Sequence, residues 1–225
     1  ATILLGAATH TDDQEGNITF TADKSVLANI SDKEINDELG KFVGKIKQRP
    51  SSVSAIKIDG KTAHARVRAG ENVEIAERDV VIDEIKIINI QRPNDQIQVE
   101  ISVTCSAGTY IRAIARDLGD RLKVGGHLIK LRRNLVSPFT LDQCKSIEES
   151  ALIPIGEVIE KIFPIRKLDL SQSREISFGR VIEQNPQPGV FAAIDNQDNF
   201  VALLENKLQA SQMVAAPILV KGSGQ

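Results

Sequence analysis

The stretch from Ile97 to Arg112 constrains the fold more than any other part of the chain. Ile97, Val99, Ile101, Val103 and Cys105 alternate with polar residues, a period of two that predicts a half-buried strand. A small-residue turn, Ser106-Ala107-Gly108-Thr109, interrupts the alternation. Beyond it, Ile111, Ile114, Ala115, Leu118 and Leu122 recur at spacings of three and four, the apolar stripe of an amphipathic helix. Tyr110 and Arg112 therefore fall at a strand-to-helix junction, where a rigid scaffold presents side chains to a cleft. Arg112 stands where the helix dipole favours acids. It is a plain surface arginine, the partner of a carboxylate, or a group reaching for a phosphate.

The 225 residues accommodate one large domain, or a medium and a small one. Hydrophobic residues make up 41% and charged residues 26%, the balance of an ordinary globular chain. No apolar run reaches the length of a membrane span and no signal-like start is present, so a cytoplasmic setting is expected. Cys105 and Cys144 have no ligand-like spacing and read as buried or partly buried free thiols. The formal net charge of −2 hides a strong asymmetry. Eight lysines and arginines between Lys41 and Arg68 face Asp59 alone, and seven between Arg112 and Arg133 face only Asp117 and Asp120. Acids gather elsewhere, at Asp32 to Glu38 and Glu148 to Glu160, so the chain is expected to carry one positive face suited to a phosphate backbone.

In order, Thr2 to Ala7 reads as a strand, followed by the polar, acidic turn Thr9 to Gly16. That turn lacks the oxygen-ligand register of a calcium loop, so a loop acid pairing with a distant cation is expected instead of a metal site. Ser31-Asp32-Lys33-Glu34 has the form of a capping box, and Ile35, Leu39, Phe42, Val43 and Ile46 extend a helical stripe from it. A proline-stiffened loop leads to a short strand at Ile56 to Ile58 and a short helix carrying His64, Arg66 and Arg68. Val73 to Ile75 and Val80 to Ile90 read as strands. After Gly125-Gly126, Leu128, Leu131 and Ile129 are expected to face inward. Glu148 to Lys161 reads as a helix with Pro154 near its first turn. From Phe163 onward, short strands dominate, with a hairpin of Val190 to Ile194 and Phe200 to Leu204 and a closing strand from Met213 to Val220.

The ordered set of these pieces resembles the bacterial tRNA pseudouridine-55 synthase family, the TruB type. Its elements are Leu5-Gly6, Thr9 to Gly16, Gln48-Arg49-Pro50-Ser51 with Ser54-Ala55, and Gly60 to His64 with Arg68. Cys105 to Arg112, Asp117-Leu118-Gly119, Gly126-His127 and Leu131-Arg132-Arg133 complete it, so the match runs from Gly6 through Phe139. His10 and His64 replace an aspartate and a tyrosine common in the family. The resemblance implies an α+β synthase domain with a large mixed sheet over residues 1–162, and a small, mostly β, PUA-like RNA-binding domain over 163–225. It also implies a nucleophilic aspartate in a Gly-x-Leu-Asp loop with a stacking tyrosine further on, both expected ahead of Ala1. Neither motif occurs in these residues, so the chain alone is expected to be inactive.

What the resemblance implies for the site is specific. Arg112 would hold the nucleophilic aspartate ionised and aimed, Tyr110 would share its pocket, and Asp13 would sit in an acidic loop beside it. Leu131 would wall the flipped uracil, although spacing alone makes it core. Arg132, Arg133, Lys57, Arg68 and His64 would meet the substrate tRNA. The partner would be the T-arm of tRNA, bound by a monomer. The isomerisation needs no cofactor, and no nucleotide or metal fingerprint is present. A non-catalytic RNA-binding or tRNA-folding module is the alternative. Asp117 as an in-chain nucleophile is disfavoured, because five residues at about 3.6 per turn point it away from Arg112.

Overall fold

The computed structural model describes residues 1–51, 75–148 and 151–222, with the backbone of 57–58 and 61–62. It forms two compact units, Ala1–Arg132 and Arg133–Gln225. In the first, strands β1 (Thr2–Leu5), β2 (Ala7–Thr9) and β3 (Ile18–Thr21) precede helices α1 (Lys24–Asn29) and α2 (Asp32–Gly40). Then come β4 (Gly44–Gln48), β5 (Lys57–Ile58), β6 (Lys61–Thr62), the long β7 (Arg78–Gln91), β8 (Ile97–Cys105), α3 (Ile111–Arg121) and β9 (Gly126–Lys130). The order β4-β7-β8-β1-β9 builds a five-stranded sheet whose strand pairings are all antiparallel, so the α+β class holds but the sheet is not the mixed one expected.

The alternation in β8 is why that sheet has a core face. Ile97, Val99 and Ile101 are buried there beside Ile3 and Leu5 of the central strand β1. Helix α3 lays Ile114, Ala115 and Leu118 into the same core, and α2 adds Ile35 and Leu39. Full burial of each such aliphatic side chain contributes on the order of 2 kcal/mol. The capping box forms as its spacing predicts: Ser31 accepts from the Glu34 amide while Glu34 accepts from the Ser31 amide.

Three expectations are corrected. Phe42, Val43 and Ile46 do not continue α2, and of the two in the turn Phe42 is buried while Val43 is exposed. That helix ends at Gly40, and Gly44, at φ +106°, turns the chain into β4. The helix expected from Glu148 begins only at Ile155, because Pro154 caps it with an extended ψ of 136° and disfavours helical backbone before it. Cys144 is exposed rather than buried, while Cys105 is half-buried. The helix expected around His64 to Arg68 and the start of the strand at Val73 lie outside the described residues.

The second unit starts with the small ribbon β10 (Leu135–Val136) and β11 (Phe139–Thr140), followed by α4 (Ile155–Ile162). Strands β12 (Ile165–Lys167), β13 (Ile182–Glu183), β14 (Val190–Ile194), β15 (Phe200–Gln209) and β16 (Gln212–Val220) form its sheet in the order β12-β14-β15-β16-β13. Helix α5 (Leu170–Ser177) covers it through Ile176, against Phe191, Ala193 and Leu204. The expected hairpin is β14 and β15, and Ile159 of α4 packs with Ala192 and Phe200.

A close backbone approach fixes where α3 lies on the sheet. A Cβ built on Gly119 would fall 2.1 Å from the Gly126 nitrogen and 2.2 Å from the Gly125 carbonyl carbon. The Gly119 carbonyl accepts from both Val124 and Gly125, closing the turn into β9. Gly119→Ala is therefore expected to cost about 3 kcal/mol by forced displacement of backbone. Gly40→Ala, with open space around it, should stay within about 1 kcal/mol of the parent. Urea unfolding of both variants checks this, and equal midpoints would contradict it.

Candidate active site

The turn between β2 and β3 carries the acids, and its shape is imposed by its own hydrogen bonds. The Thr9 hydroxyl donates to the Asp13 carbonyl at 2.7 Å. The Thr11 hydroxyl and the Glu15 amide donate to Asp13 Oδ1 at 2.6 and 3.0 Å. Asp12 adopts φ +60°, a left-handed conformation that aspartate tolerates better than most residues. Strand β9 fixes the loop from the other side, since Leu128 donates to the Asp12 carbonyl and Gln14 to the Leu128 carbonyl.

Helix α3 grips that loop at two consecutive residues. Arg112 Nη2 lies 2.9 Å from Asp13 Oδ2. One helical turn later, Arg116 Nη1 lies 3.1 Å from Asp12 Oδ2. Residues four apart share a helix face, so adjacent arginine positions of one stripe meet adjacent aspartates. The two pairs differ in burial. The Arg112 side chain stays 39% exposed, whereas Arg116 is 15% exposed. Arg116 also donates to Asp117 and to the Arg49 carbonyl. Burial pushes the Asp12 carboxyl above its ordinary range, and Arg116 and the Ser51 hydroxyl oppose that shift. Asp117 is committed to Arg116, in keeping with its expected direction away from Arg112.

Tyr110 is the N-cap of α3 and receives no side-chain cap. Its backbone is held by Gln48 instead: Gln48 Nε2 donates to the Tyr110 carbonyl at 3.1 Å, and the Tyr110 amide donates to Gln48 Oε1 at 2.8 Å. Gln48 is buried, and in the sequence it stands out only as part of the Gln48-Arg49-Pro50-Ser51 motif. Only its polarity before a proline-containing loop hinted at a role. Ser51, two residues past Arg49, donates to the Thr11 carbonyl, and His127 Nδ1 lies 2.8 Å from the Ala7 carbonyl. That histidine is therefore a structural donor.

The remaining predicted site residues are placed unevenly. Leu131 is 52% exposed, so the inward orientation expected from spacing is wrong; it lies one residue past β9, whose buried positions are Gly126, His127 and Leu128. Leu131 and Arg132 line a shallow groove with Gln14, Ile129 and Lys130. Arg133 is exposed. Lys57 lies in β5 by its backbone, whereas His64 and Arg68 fall outside the described residues. Among the described residues no cluster of acids, histidines and cysteines is arranged to hold a metal ion, and no helix is long and apolar enough to cross a membrane.

Residues 1–111 match the family model described as TruB family pseudouridylate synthase, N-terminal domain. Over 224 residues the chain is 42% identical to the tRNA pseudouridine synthase B of Corynebacterium diphtheriae, spanning 96% of this chain and 75% of the relative. The chain belongs to the TruB pseudouridine synthase family. The synthase B of Rhodococcus jostii is likewise 42% identical, with 98% of this chain and 74% of the relative covered. Residues 163–215 match the model for the C-terminal part of tRNA pseudouridine synthase II. Solved structures share the fold at low identity. An H/ACA RNP bound to a substrate RNA containing 2′-deoxyuridine aligns at a TM-score of 0.58 and 16% identity, over 97% of this chain and 65% of that one. A Cbf5-Nop10-Gar1 complex aligns at 0.56 and 17%, over 98% and 65%. The chain thus spans about three quarters of the TruB relatives and 65% of the solved chains.

The buried pair makes a prediction about stability. Arg116→Met leaves the Asp12 carboxylate without its cation and should cost about 3 kcal/mol at neutral pH. The native-state pKa of Asp12, already raised, then rises further above its ordinary value of 3.8. A group whose folded pKa is raised binds its proton more tightly when folded, so its penalty grows as pH climbs through that window. The deficit should therefore shrink as pH falls toward the ordinary carboxylate range. Urea unfolding at several pH values measures this, and a pH-independent deficit would contradict the assignment.

Proposed function

We propose that this chain is the greater part of a tRNA pseudouridine synthase that converts uridine-55 of the T-arm to pseudouridine. The observation that supports this most is the Arg112–Asp13 pair at the strand-to-helix junction of a TruB family chain. The reaction breaks the C1′–N1 glycosidic bond, turns the uracil and joins C1′ to C5. The C5 proton leaves and N1 gains one, so the change is an isomerisation without oxidant, reductant or cofactor. A carboxylate nucleophile or base and a water-poor pocket suffice.

In this reading the carboxylate is the aspartate of a Gly-x-Leu-Asp loop, a motif these 225 residues do not contain, and the chain alone is inactive. Asp13 holds one edge of the Arg112 guanidinium, and the exposed remainder orients and keeps ionised that second carboxylate. Tyr110 occupies the same pocket. Leu131, too exposed to serve as core, contacts the flipped base, whose extraction from the stack costs a few kcal/mol. Arg132, Arg133, Lys57, Arg68 and His64 meet the RNA backbone, and residues 163–225 form the accessory RNA-binding domain of a cytoplasmic monomer. The match of 163–215 to the family's C-terminal model supports that division.

The test uses the full-length protein that includes the Gly-x-Leu-Asp loop. Tritium released from C5-labelled tRNA should appear with the parent and fall by about 10²–10³-fold in Arg112→Ala, the scale of losing one preorganised charge contact. Affinity for tRNA should change by less than about threefold. Parent-like turnover in Arg112→Ala would overturn its role, and tRNA binding without tritium release by the parent would favour the non-catalytic RNA-binding reading. A patch neutralising about four phosphates should lose roughly 100-fold in affinity between about 50 and 200 mM salt. Salt-independent binding would contradict the patch.

A further inference from the structure

Resting on the functional reading above, we propose that Gln48 is a positioning residue of the isomerisation, setting the direction of Arg112 by clamping the Tyr110 backbone. The argument begins with what the start of α3 lacks. Its N-cap, Tyr110, has no side-chain oxygen bonded to the first free amides, and its first turn contains no acid but does contain Arg112. Both features weaken a helix start. The Tyr110 carbonyl begins the helix by accepting from Ala113 and Ile114, so any rotation of that peptide tilts the first turn. Gln48 holds the two peptide groups that flank the Tyr110 Cα, accepting from the Tyr110 amide at 2.8 Å and donating to the Tyr110 carbonyl at 3.1 Å. A carboxamide is the side chain suited to this, having one donor end and one acceptor end.

Gln48 can hold its place because it is the last residue of β4, paired with Arg78 of β7, and is only 2% exposed. The residues that follow reach the other half of the site. The Arg49 carbonyl accepts from Arg116, and the Ser51 hydroxyl donates to the Thr11 carbonyl in the acidic loop. The segment 48–51 therefore touches the junction bearing Arg112 and the loop bearing Asp13, and spans the two sides of that ion pair. An ion pair with one partner 39% exposed has little energy of its own to hold a geometry. Direction must come from the backbone beneath it, and at Tyr110 that backbone is held by Gln48.

Gln48→Met and Gln48→Asn in the full-length protein test this. Met keeps the volume and loses both bonds; Asn keeps the carboxamide on a shorter stem. The single-turnover rate at saturating tRNA, measured well below the melting temperature, should fall at least about tenfold in both. The dissociation constant for tRNA should stay within about threefold. Hydrogen exchange of the Tyr110 amide should accelerate at least tenfold, while the β8 amides keep their protection. A parent-like rate in a folded variant would overturn the inference, as would unchanged Tyr110 exchange in either variant. A purely structural role would lower the melting temperature and leave the rate of the folded enzyme intact, which also overturns it. An inactive parent protein would instead overturn the functional reading, and with it the positioning role, even where the exchange result confirms the clamp.

Discussion

The site depends on one electrostatic grip: two arginines a helical turn apart on α3 holding two consecutive aspartates of a short loop. The inner pair is mostly buried, with further bonds from Arg116 to Asp117 and the Arg49 carbonyl, so its geometry is heavily determined. In the outer pair Asp13 is buried and only the Arg112 side chain, 39% exposed, reaches solvent. Both pairs hold the loop, the inner one desolvated and the outer one leaving part of the Arg112 guanidinium in water. That grip also explains the unusual backbone of Asp12, since a residue held at φ +60° needs surroundings that over-determine it.

The rest of the first unit serves to keep helix and loop at that separation. Glycine at 119 and 126 lets α3 lie directly on the start of β9, closer than any side chain would allow. Strand β9 in turn exchanges hydrogen bonds with the acidic loop through Leu128. Helix, strand and loop form a closed triangle with the ion pairs as its third side. The long pairing of β7 with β8 carries β4 to the opposite flank, which is where Gln48 and Ser51 enter.

Much of this was legible from local pattern. The alternation of Ile97 to Cys105 and the three-four spacing from Ile111 gave strand, turn and helix, because their faces differ sharply in polarity. The Ser31 box and the β14–β15 hairpin were legible for the same local reason. Phe42, Val43 and Ile46 imitate a helical continuation of Ile35 and Leu39 by spacing alone, while the chain leaves the helix after Gly40 and turns into a strand at Gly44. Leu131 departs from its expected inward orientation because the buried part of β9 ends at Leu128 and the chain past Lys130 runs exposed. Gln48 was invisible as a clamp, since its partner lies 62 residues away and nothing in either neighbourhood announces the other. Long-range polar pairing leaves no periodic trace.

The most direct measurement is a double-mutant cycle between Asp13 and Arg112 in the full-length protein, using Asp13→Asn, Arg112→Lys and their combination, read as the single-turnover rate of tRNA isomerisation. If the pair acts as a unit, the double variant should be little slower than the slower single variant, giving a coupling energy of about 1 kcal/mol or more. Independent, multiplicative losses would mean that the ion pair is incidental to catalysis, and would contradict the account.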